Sequence, residues 1–236
     1  MSVWLFSSSS LPLADVLSAF ARSNPAGKII VAFLFFGSIA VWSLMATKFR
    51  ELIVVRRASR RFLRLYRQQR RPTALYGDRR APEGNPLGIL YDGVCETLAA
   101  GRSDAAGGPR WNAARLNAVR NAADRAAAEQ ILRLEENMSL LATATTAAPF
   151  LGLLGTVWGV MEAFMGMGET ALLSAVAPGI SGALLTTVVG LLVALPSAIG
   201  YNTLSAWIRH LSVMIDNFSG ELIADLETFA AEEGDG

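Results

Sequence analysis

Charged side chains are missing from three stretches of the chain, which cover residues 29–47, 138–161 and 170–207. A helix needs about 20 apolar residues to cross the hydrocarbon core of a bilayer, so each stretch is long enough to span it. The last stretch is too long for one span, and Pro178-Gly179 interrupts it. We therefore place the start of the third span at Gly179 and expect a surface loop that ends at Ala177. The pattern predicts an all-α, polytopic membrane protein with three transmembrane helices.

The overall composition agrees with this pattern. The chain has 236 residues, of which 52% are hydrophobic and only 17% are charged, with a mean hydropathy of +0.37. A soluble domain normally carries about 25% charged residues. Because the missing charge is confined to long stretches rather than spread evenly, the composition favours a membrane protein over an apolar soluble enzyme.

Basic residues are concentrated between the first and second spans, where residues 48–137 hold 18 of the 21 Lys and Arg residues. Basic clusters next to a span remain in the cytoplasm, so this segment is predicted to lie inside, with the N-terminus outside and the C-terminus inside. A nucleic-acid-binding patch is an alternative interpretation of the arginine run. Interleaved aromatic residues in a known nucleic-acid module are lacking, so we expect contact with lipid headgroups and no nucleic acid.

The predicted organisation follows from these spans and from the breaks between them. Met1 to Ser10 has no basic n-region and no clear cleavage site, so we expect this segment to be retained. The predicted segments are an outer, periplasmic segment with an amphipathic helix after Ser10 (1–28), the first span (29–47), a cytoplasmic helical loop (48–137), the second span (138–164), a periplasmic loop (165–178), the third span (179–203) and a cytoplasmic C-terminal helix and tail (204–236).

Apolar residues recur three or four positions apart in the polar segments, which predicts amphipathic helices. Since no breaker separates Asn112 from the second span, we expect one continuous helix there, and the third span is expected to continue into the tail. Two spans would thus extend into a long cytoplasmic helical bundle. The apolar stripes that we expect to pack in this bundle are Leu52, Val55, Ser59, Phe62 and Tyr66; Leu116, Val119, Ala123, Ala127, Gln130 and Leu134; and Leu211, Met214, Ile215, Phe218, Leu222 and Leu226.

Soluble-enzyme chemistry has little support in the sequence. The chain has one His and one Cys, so it offers neither an intramolecular disulfide nor the residue spacing of a metal site. A glycine-rich phosphate-binding loop that ends in Lys-Ser or Lys-Thr is also missing. We therefore expect no enzyme activity and no cofactor, and any energy that the protein uses must come from a source other than nucleotide hydrolysis.

Small and hydroxyl-bearing residues are frequent in the second and third spans, and Gly155-xxx-Gly159 allows close approach of two helices. Threonine hydroxyls in a membrane helix can bond to their own backbone, or a line of them can form a polar lane for a proton or ion. The threonines considered for such a lane are Thr143, Thr145, Thr146 and Thr186. The residues expected at helix contacts are Pro149, Gly152, Gly155, Gly159, Pro178, Gly179, Gly182 and Gly190.

Three ordered motifs in these spans resemble the signature of the MotA/TolQ/ExbB proton-channel family. They are Pro149-Phe-Leu-Gly-Leu-Leu-Gly-Thr-Val-Trp-Gly-Val-Met161, Ala177-Pro-Gly-Ile180 and Ala183-Leu-Leu-Thr-Thr187. The predicted topology is similar to that of TolQ and ExbB as well. By this resemblance, Thr156 and Thr187 occupy the two threonine positions that line the proton path.

The resemblance also implies the partners of the chain. Five copies are expected to surround a pair of single-span helices from a TolR- or ExbD-like protein, which supplies the membrane Asp that binds the proton. A TolA- or TonB-like protein is implied as a further partner. Many members of the family carry Glu at the position of Gly182, so this chain cannot relay a proton there.

Two interpretations of function remain at this point. The first is a subunit of a motor in the bacterial inner membrane, which couples the proton motive force to envelope maintenance or to TonB-type transport. The second is a membrane scaffold that assembles partner proteins and does not conduct ions. Both use the same small-residue contacts and the same amphipathic helices, so the role of Thr156 and Thr187 discriminates between them.

Overall fold

Five α-helices form the part of the chain that this computed structural model describes, which is residues 25–69, 71–76, 85–103, 111–166 and 173–234. Helices α1, α4 and α5 each contain a stretch that is long and apolar enough to cross a membrane. The predicted all-α fold with three transmembrane helices is thereby confirmed. The amphipathic helix expected after Ser10 lies outside the described residues. The five helices are α1 (Pro25–Tyr66), α2 (Pro86–Ser103), α3 (Ala113–Glu135), α4 (Met138–Met165) and α5 (Leu173–Gly234).

The helices are divided between two compact units. Within the described residues, the membrane unit consists of residues 25–45, 139–166 and 173–201. The extramembrane unit consists of residues 46–69, 71–76, 85–103, 111–138 and 202–234. Helices α1 and α5 contribute to both units, because neither helix is interrupted where one unit ends and the other begins.

The membrane unit is built around small contact residues and exposes its large apolar ones. Leu34 of α1, Ala148 of α4 and Ala194 of α5 are buried together and form its centre. Large side chains such as Phe36 and Phe150 are about 70% exposed. Exposed apolar surface of this kind is stable in contact with lipid tails or with further transmembrane helices, and not in contact with water.

Aromatic side chains form the centre of the extramembrane unit. Phe62 contacts Tyr91 and Phe218 edge to face, with 5.7 Å between ring centroids in each pair. Tyr66 contacts Phe218 at 5.1 Å in the same way. Edge-to-face aromatic pairs add about 0.5–1.5 kcal/mol beyond the burial of their area. These contacts join α1, α2 and α5.

Polar contacts tie the ends of α1 and α5 together. The Tyr66 hydroxyl donates to Asp225 Oδ2 at 2.7 Å, and the Arg67 guanidinium donates to both carboxylate oxygens of Glu221 at 2.8 Å. These bonds from Arg67 hold the pKa of Glu221 below its usual value. Arg120 of α3 also forms an ion pair with Glu227 of α5, through one nitrogen and one oxygen. Because a lowered carboxyl pKa stabilises the fold above the unfolded pKa, the contribution of Glu221 is lost as the pH falls through its folded pKa.

The amphipathic stripes predicted from the sequence face the interior of the extramembrane unit. Leu52, Ser59, Phe62 and Tyr66 of α1 are buried, and so are Val119, Ala123, Ala127, Gln130 and Leu134 of α3. Val55 and Leu116, which begin or continue the same stripes, are half-buried. The stripe of α5 is buried as well, apart from Met214, which is half-buried. These predictions are confirmed.

One predicted helix is divided into two, because α3 ends at Glu135 and α4 begins at Met138. The expectation of a continuous helix from Asn112 into the second span is therefore wrong. Asn137 adopts a φ of 65°, and Asn is among the non-glycine residues that best tolerate the left-handed region. The carbonyl of Leu134, in the last turn of α3, accepts a buried hydrogen bond from the Lys48 ammonium at 3.4 Å, so α1 supports the end of α3 at this break.

The start of the third membrane helix also differs from the prediction. Helix α5 begins at Leu173 and passes through Pro178, so the expectation of a loop up to Ala177 is wrong. Proline lacks an N–H group and normally interrupts a helix because one backbone hydrogen bond is lost. Pro178 lies only five residues after the start of α5, so few turns precede the lost bond and the helix tolerates it.

Candidate functional site

The contact between α4 and α5 is a seam of small residues that lie three or four positions apart on each helix, apart from the adjacent Thr186 and Thr187. On α4 the seam contains Ala148, Gly152, Gly155, Gly159 and Ala163, and on α5 it contains Gly190, Thr187, Thr186, Ala183 and Gly179. The helices run antiparallel, since the residue numbers rise on one helix as they fall on the other. Small residues at this spacing let two membrane helices approach backbone to backbone.

The glycines of this seam have no room for a side chain. A Cβ atom on Gly152 would lie 2.8 Å from the carbonyl oxygen of Thr186 and 2.9 Å from Cα of Thr187. A Cβ atom on Gly190 would lie 2.6 Å from the carbonyl oxygen of Ala148. Because these neighbours are backbone atoms, they cannot move aside as a side chain can, so glycine is required at both positions.

The other predicted packing residues are distributed along the same two helices. A Cβ atom on Gly155 would meet the side chain of Thr186, and one on Gly159 would meet Cβ of Ala183. Gly182 is buried, Pro149 is half-buried within α4, and Pro178 is exposed within α5. Gly179 approaches Ala163, with 3.1 Å between a built Cβ and the Ala163 methyl.

The hydroxyls of Thr156 and Thr187 meet across this seam. They form a hydrogen bond with each other, and both are also within bonding distance of the Gly152 carbonyl oxygen, at 3.0 and 3.1 Å. The Thr186 hydroxyl lies 2.9 Å from the same oxygen and 2.7 Å from the Ala183 carbonyl. Thr156 and Thr187 are half-buried, whereas Thr186 is completely buried.

The remaining threonines of α4 do not join this group. Each bonds to a carbonyl of its own helix: Thr143 to Ser139, Thr145 to Ala142, and Thr146 to Thr143. Thr143 and Thr146 are exposed and lie on a different face of α4 from the seam, while Thr145 is half-buried. The structure therefore brings together Thr156, Thr186 and Thr187. It leaves Thr143, Thr145 and Thr146 outside this group.

The Gly152 carbonyl oxygen lies at the centre of this threonine group, and reasoning from side chains missed it. It is the shared acceptor for three hydroxyls because glycine at position 152 leaves it accessible from α5. The sequence signal that could have identified it is the combination of Gly152 with Thr156 one turn later. That pairing exposes a carbonyl beside a hydroxyl on one helix face.

Titratable groups are scarce in the described parts of the spans. Glu162 is the one carboxylate of α4, and it lies in the last turn of that helix. The first part of α5 has no charged residue before Arg209. Within the described residues, no group of His, Cys, Asp and Glu is arranged to hold a metal ion. The threonine group thus offers hydrogen bonding but no charge of its own.

Cys95 of α2 is expected to be an unreactive thiol. Burial, with a smaller contribution from Asp92, raises its pKa to about 11, although a hydrogen bond with Tyr91 opposes the shift. At pH 8 we expect N-ethylmaleimide to modify the folded protein at least about 100-fold more slowly than the unfolded protein. Intact-mass measurement gives this rate directly, because the chain has a single Cys. Equal rates in the two states would show that the thiol is accessible.

The chain is similar in sequence to one known protein family and to several of its members. The MotA/TolQ/ExbB proton channel family matches residues 97–217, just over half of the chain. The Tol-Pal system protein TolQ of Haemophilus influenzae is 42% identical over 94 residues, which is 39% of this chain and 41% of that protein. The TolQ of Pseudomonas aeruginosa is 46% identical over 76 residues, which is 31% of this chain and 33% of that protein.

A biopolymer transport protein, ExbB of Pseudomonas putida, is 38% identical over 92 residues, which is 38% of this chain and 28% of that protein. The chain thus matches less than half the length of these curated relatives. The family match itself covers the end of α2, all of α3 and α4, and the part of α5 that contains Thr186 and Thr187. The chain belongs to the MotA/TolQ/ExbB proton channel family.

Proposed function

We propose that this protein is a non-enzymatic subunit of a proton-driven motor in the bacterial inner membrane, where it lines a proton path with Thr156 and Thr187. The observation that carries the proposal is the meeting of these two hydroxyls at the Gly152 carbonyl, in a span without a central carboxylate. The N-terminus is placed in the periplasm and the C-terminus in the cytoplasm, because residues 48–137 hold most of the basic residues.

The hydrogen bonds of the threonine group can be arranged in more than one way. Three hydroxyl protons, from Thr156, Thr186 and Thr187, share the oxygens of Gly152, Ala183 and one another. A hydroxyl donates one proton and accepts on two lone pairs. Each proton can therefore change acceptor without leaving an oxygen unbonded, which is what a hydrogen-bonded path must allow while a proton passes.

The charged group of such a path must come from a partner. A threonine hydroxyl cannot hold a charge near neutral pH, and an ionisable group inside a membrane is usually functional. By resemblance to the family, a TolR- or ExbD-like single-span protein supplies an Asp, and about five copies of this chain surround a pair of such helices. A TolA- or TonB-like protein would then receive the motion for envelope maintenance or transport.

A non-conducting scaffold is the second candidate, and one observation favours it. All three hydroxyls have an acceptor in the backbone of the seam, so hydrogen bonding that holds α4 against α5 is sufficient to explain them. The scaffold requires the seam but not hydroxyl protons that rearrange. The two candidates therefore differ in what removal of the hydroxyls alone should do.

The test replaces Thr156 and Thr187 by valine, which preserves the branched shape and removes both hydroxyls. With a TolR- or ExbD-like partner in liposomes, we expect proton uptake, measured with a pH-sensitive dye, to fall about 100-fold. The matched control is T143V/T146V, because those hydroxyls bond only within α4. Uptake by the unaltered complex no greater than that of empty liposomes, in a complex of normal size, would favour the scaffold. Unchanged uptake in T156V/T187V would contradict the proposed role of the two hydroxyls.

A further inference from the structure

A basic cavity of about 190 Å³ lies between α1 and α5 in the extramembrane unit, apart from the threonine group. Arg56 and Arg60, one helical turn apart on α1, and His210 of α5 line its polar side. Its apolar side consists of Leu52, Trp207, Leu211 and Met214. The cavity thus combines two guanidinium groups with a surface that favours carbon atoms.

The two arginines of this cavity are available to a ligand. Among the residues that the structure describes, neither Arg56 nor Arg60 forms an ion pair, whereas Lys48, Arg67 and Arg120 all do. A guanidinium group can bind a phosphate through two parallel hydrogen bonds, and such charge-assisted bonds are about twice as strong as neutral ones. The cavity therefore favours an anion with phosphate geometry.

Exposed apolar side chains extend along both helices as far as this cavity. Phe49 and Val54, which precede Arg56 on α1, are 41% and 65% exposed, and Val213 of α5 is 53% exposed. Phe49 also packs against Trp207, with ring centroids 4.7 Å apart. Tryptophan is enriched where a helix crosses the membrane–water interface, and Trp207 is such a residue. These positions indicate that the cavity lies at the level of the lipid headgroups.

The chain direction of α1 and α5 lets their long basic side chains point towards this interface. Helices α1 and α5 run parallel here, since Phe49 meets Trp207 and Phe62 meets Phe218. The Cα–Cβ bonds of a helix tilt towards its N-terminus. On both helices the N-terminal direction leads back to the apolar span, so long basic side chains can extend towards headgroups.

We propose that this cavity binds the headgroup of an anionic phospholipid, with Arg56 and Arg60 bound to its phosphate. Trp207 and Met214, which are half-buried, contact the glycerol and the first acyl carbons. The apolar side favours a lipid over free phosphate, because Trp207 and Met214 are only half-buried and inorganic phosphate would not cover their exposed part. The bound lipid would join α1 to α5 at the boundary of the membrane.

The test uses the full chain, purified as its complex in mild detergent and titrated with phosphatidylglycerol or phosphatidylcholine. Native mass spectrometry counts the bound lipids and reports the size of the complex. We expect R56Q/R60Q to bind phosphatidylglycerol about 30-fold more weakly, which corresponds to roughly fivefold for each arginine. The matched control is R57Q/R61Q, which removes the same charge from the same helix outside the cavity, and we expect a change of less than about threefold.

Three results would overturn the proposal. Equal losses in R56Q/R60Q and R57Q/R61Q would show diffuse attraction to a basic helix and no site. A smaller complex in R56Q/R60Q alone would assign the cavity to a contact between copies of the chain. Displacement of phosphatidylglycerol by inorganic phosphate at equal concentration would identify a free-anion site. A selective loss of phosphatidylglycerol in R56Q/R60Q, with complex size and phosphatidylcholine binding unchanged, supports it.

Discussion

Replacement of Gly190 by alanine is expected to lower the melting temperature of the purified protein by about 5 °C or more. The added methyl carbon would lie 2.6 Å from the Ala148 carbonyl oxygen and 3.1 Å from Cα of Gly152. Both neighbours are backbone atoms, so α4 and α5 must separate to admit it. This cost exceeds the gain of about 1 kcal/mol that alanine brings to a helix. Differential scanning fluorimetry in detergent measures the change.

The matched control for Gly190 is Gly37→Ala in the membrane part of α1. A Cβ atom at Gly37 meets no other heavy atom within 4 Å, so the same chemical change adds no clash. We expect its melting temperature to stay the same or to rise slightly. If Gly190→Ala were as stable as Gly37→Ala, the close approach of α4 and α5 at Gly190 would be wrong.

Replacement of Phe218 by alanine is expected to destabilise the extramembrane unit by about 3–5 kcal/mol. The Phe218 side chain is fully buried and contacts Phe62 and Tyr66 of α1. Truncation leaves a cavity in the centre of this unit. Phe62 also contacts Tyr91, whose ring lies beside Cys95. The reactivity of the Cys95 thiol therefore reports how far the substitution loosens the packing of this unit. We expect N-ethylmaleimide to modify Cys95 on the order of 100-fold faster than in the unaltered protein.

Val213→Ala is the control for this substitution, because Val213 lies on the same helix but is 53% exposed. Removal of an exposed apolar side chain usually changes stability by less than about 0.5 kcal/mol, so the Cys95 labelling rate should stay the same. A Phe218→Ala protein with an unchanged labelling rate would contradict the assignment of this aromatic group as the centre of the unit.

Periodicity was sufficient to predict which faces of the long helices are buried. The stripe of α1 from Leu52 to Tyr66 and the stripe of α5 from Leu211 to Leu226 were both read from spacing alone. This succeeds because a buried helix face repeats every three or four residues wherever it packs. The three spans follow equally directly from the length of the uncharged stretches.

Helix boundaries were less predictable, for local physical reasons. The break at Asn137 depends on a single left-handed residue, and the helix propensity of Asn is only moderately unfavourable, so its presence does not mark a helix end. Pro178 suggested a helix start because its lost hydrogen bond is costly in a helix interior. Near the beginning of α5 that cost is small enough for the helix to continue through it.

For the candidate site as well, the sequence predicted some features and left others to the structure. Glycine spacing indicated that α4 and α5 pack closely, and resemblance to the family selected Thr156 and Thr187. The register between the helices, which sets Gly152 against Thr186 and Thr187, depends on contacts between residues more than 30 positions apart. Local sequence patterns carry no information on such pairing, so the shared carbonyl and the burial of Thr186 required the structure.

The order of synthesis affects how the extramembrane unit is completed. Tyr66 bonds to Asp225, which lies 159 residues later in the chain. At about 5–20 residues per second, a ribosome needs roughly 10–30 s to make this intervening length. During that time the apolar face of α1, including Phe62, has been synthesised without its α5 partner. A nascent chain that stalls before Phe218 cannot close this core, so the synthesis of α5 determines whether the apolar face of α1 is protected.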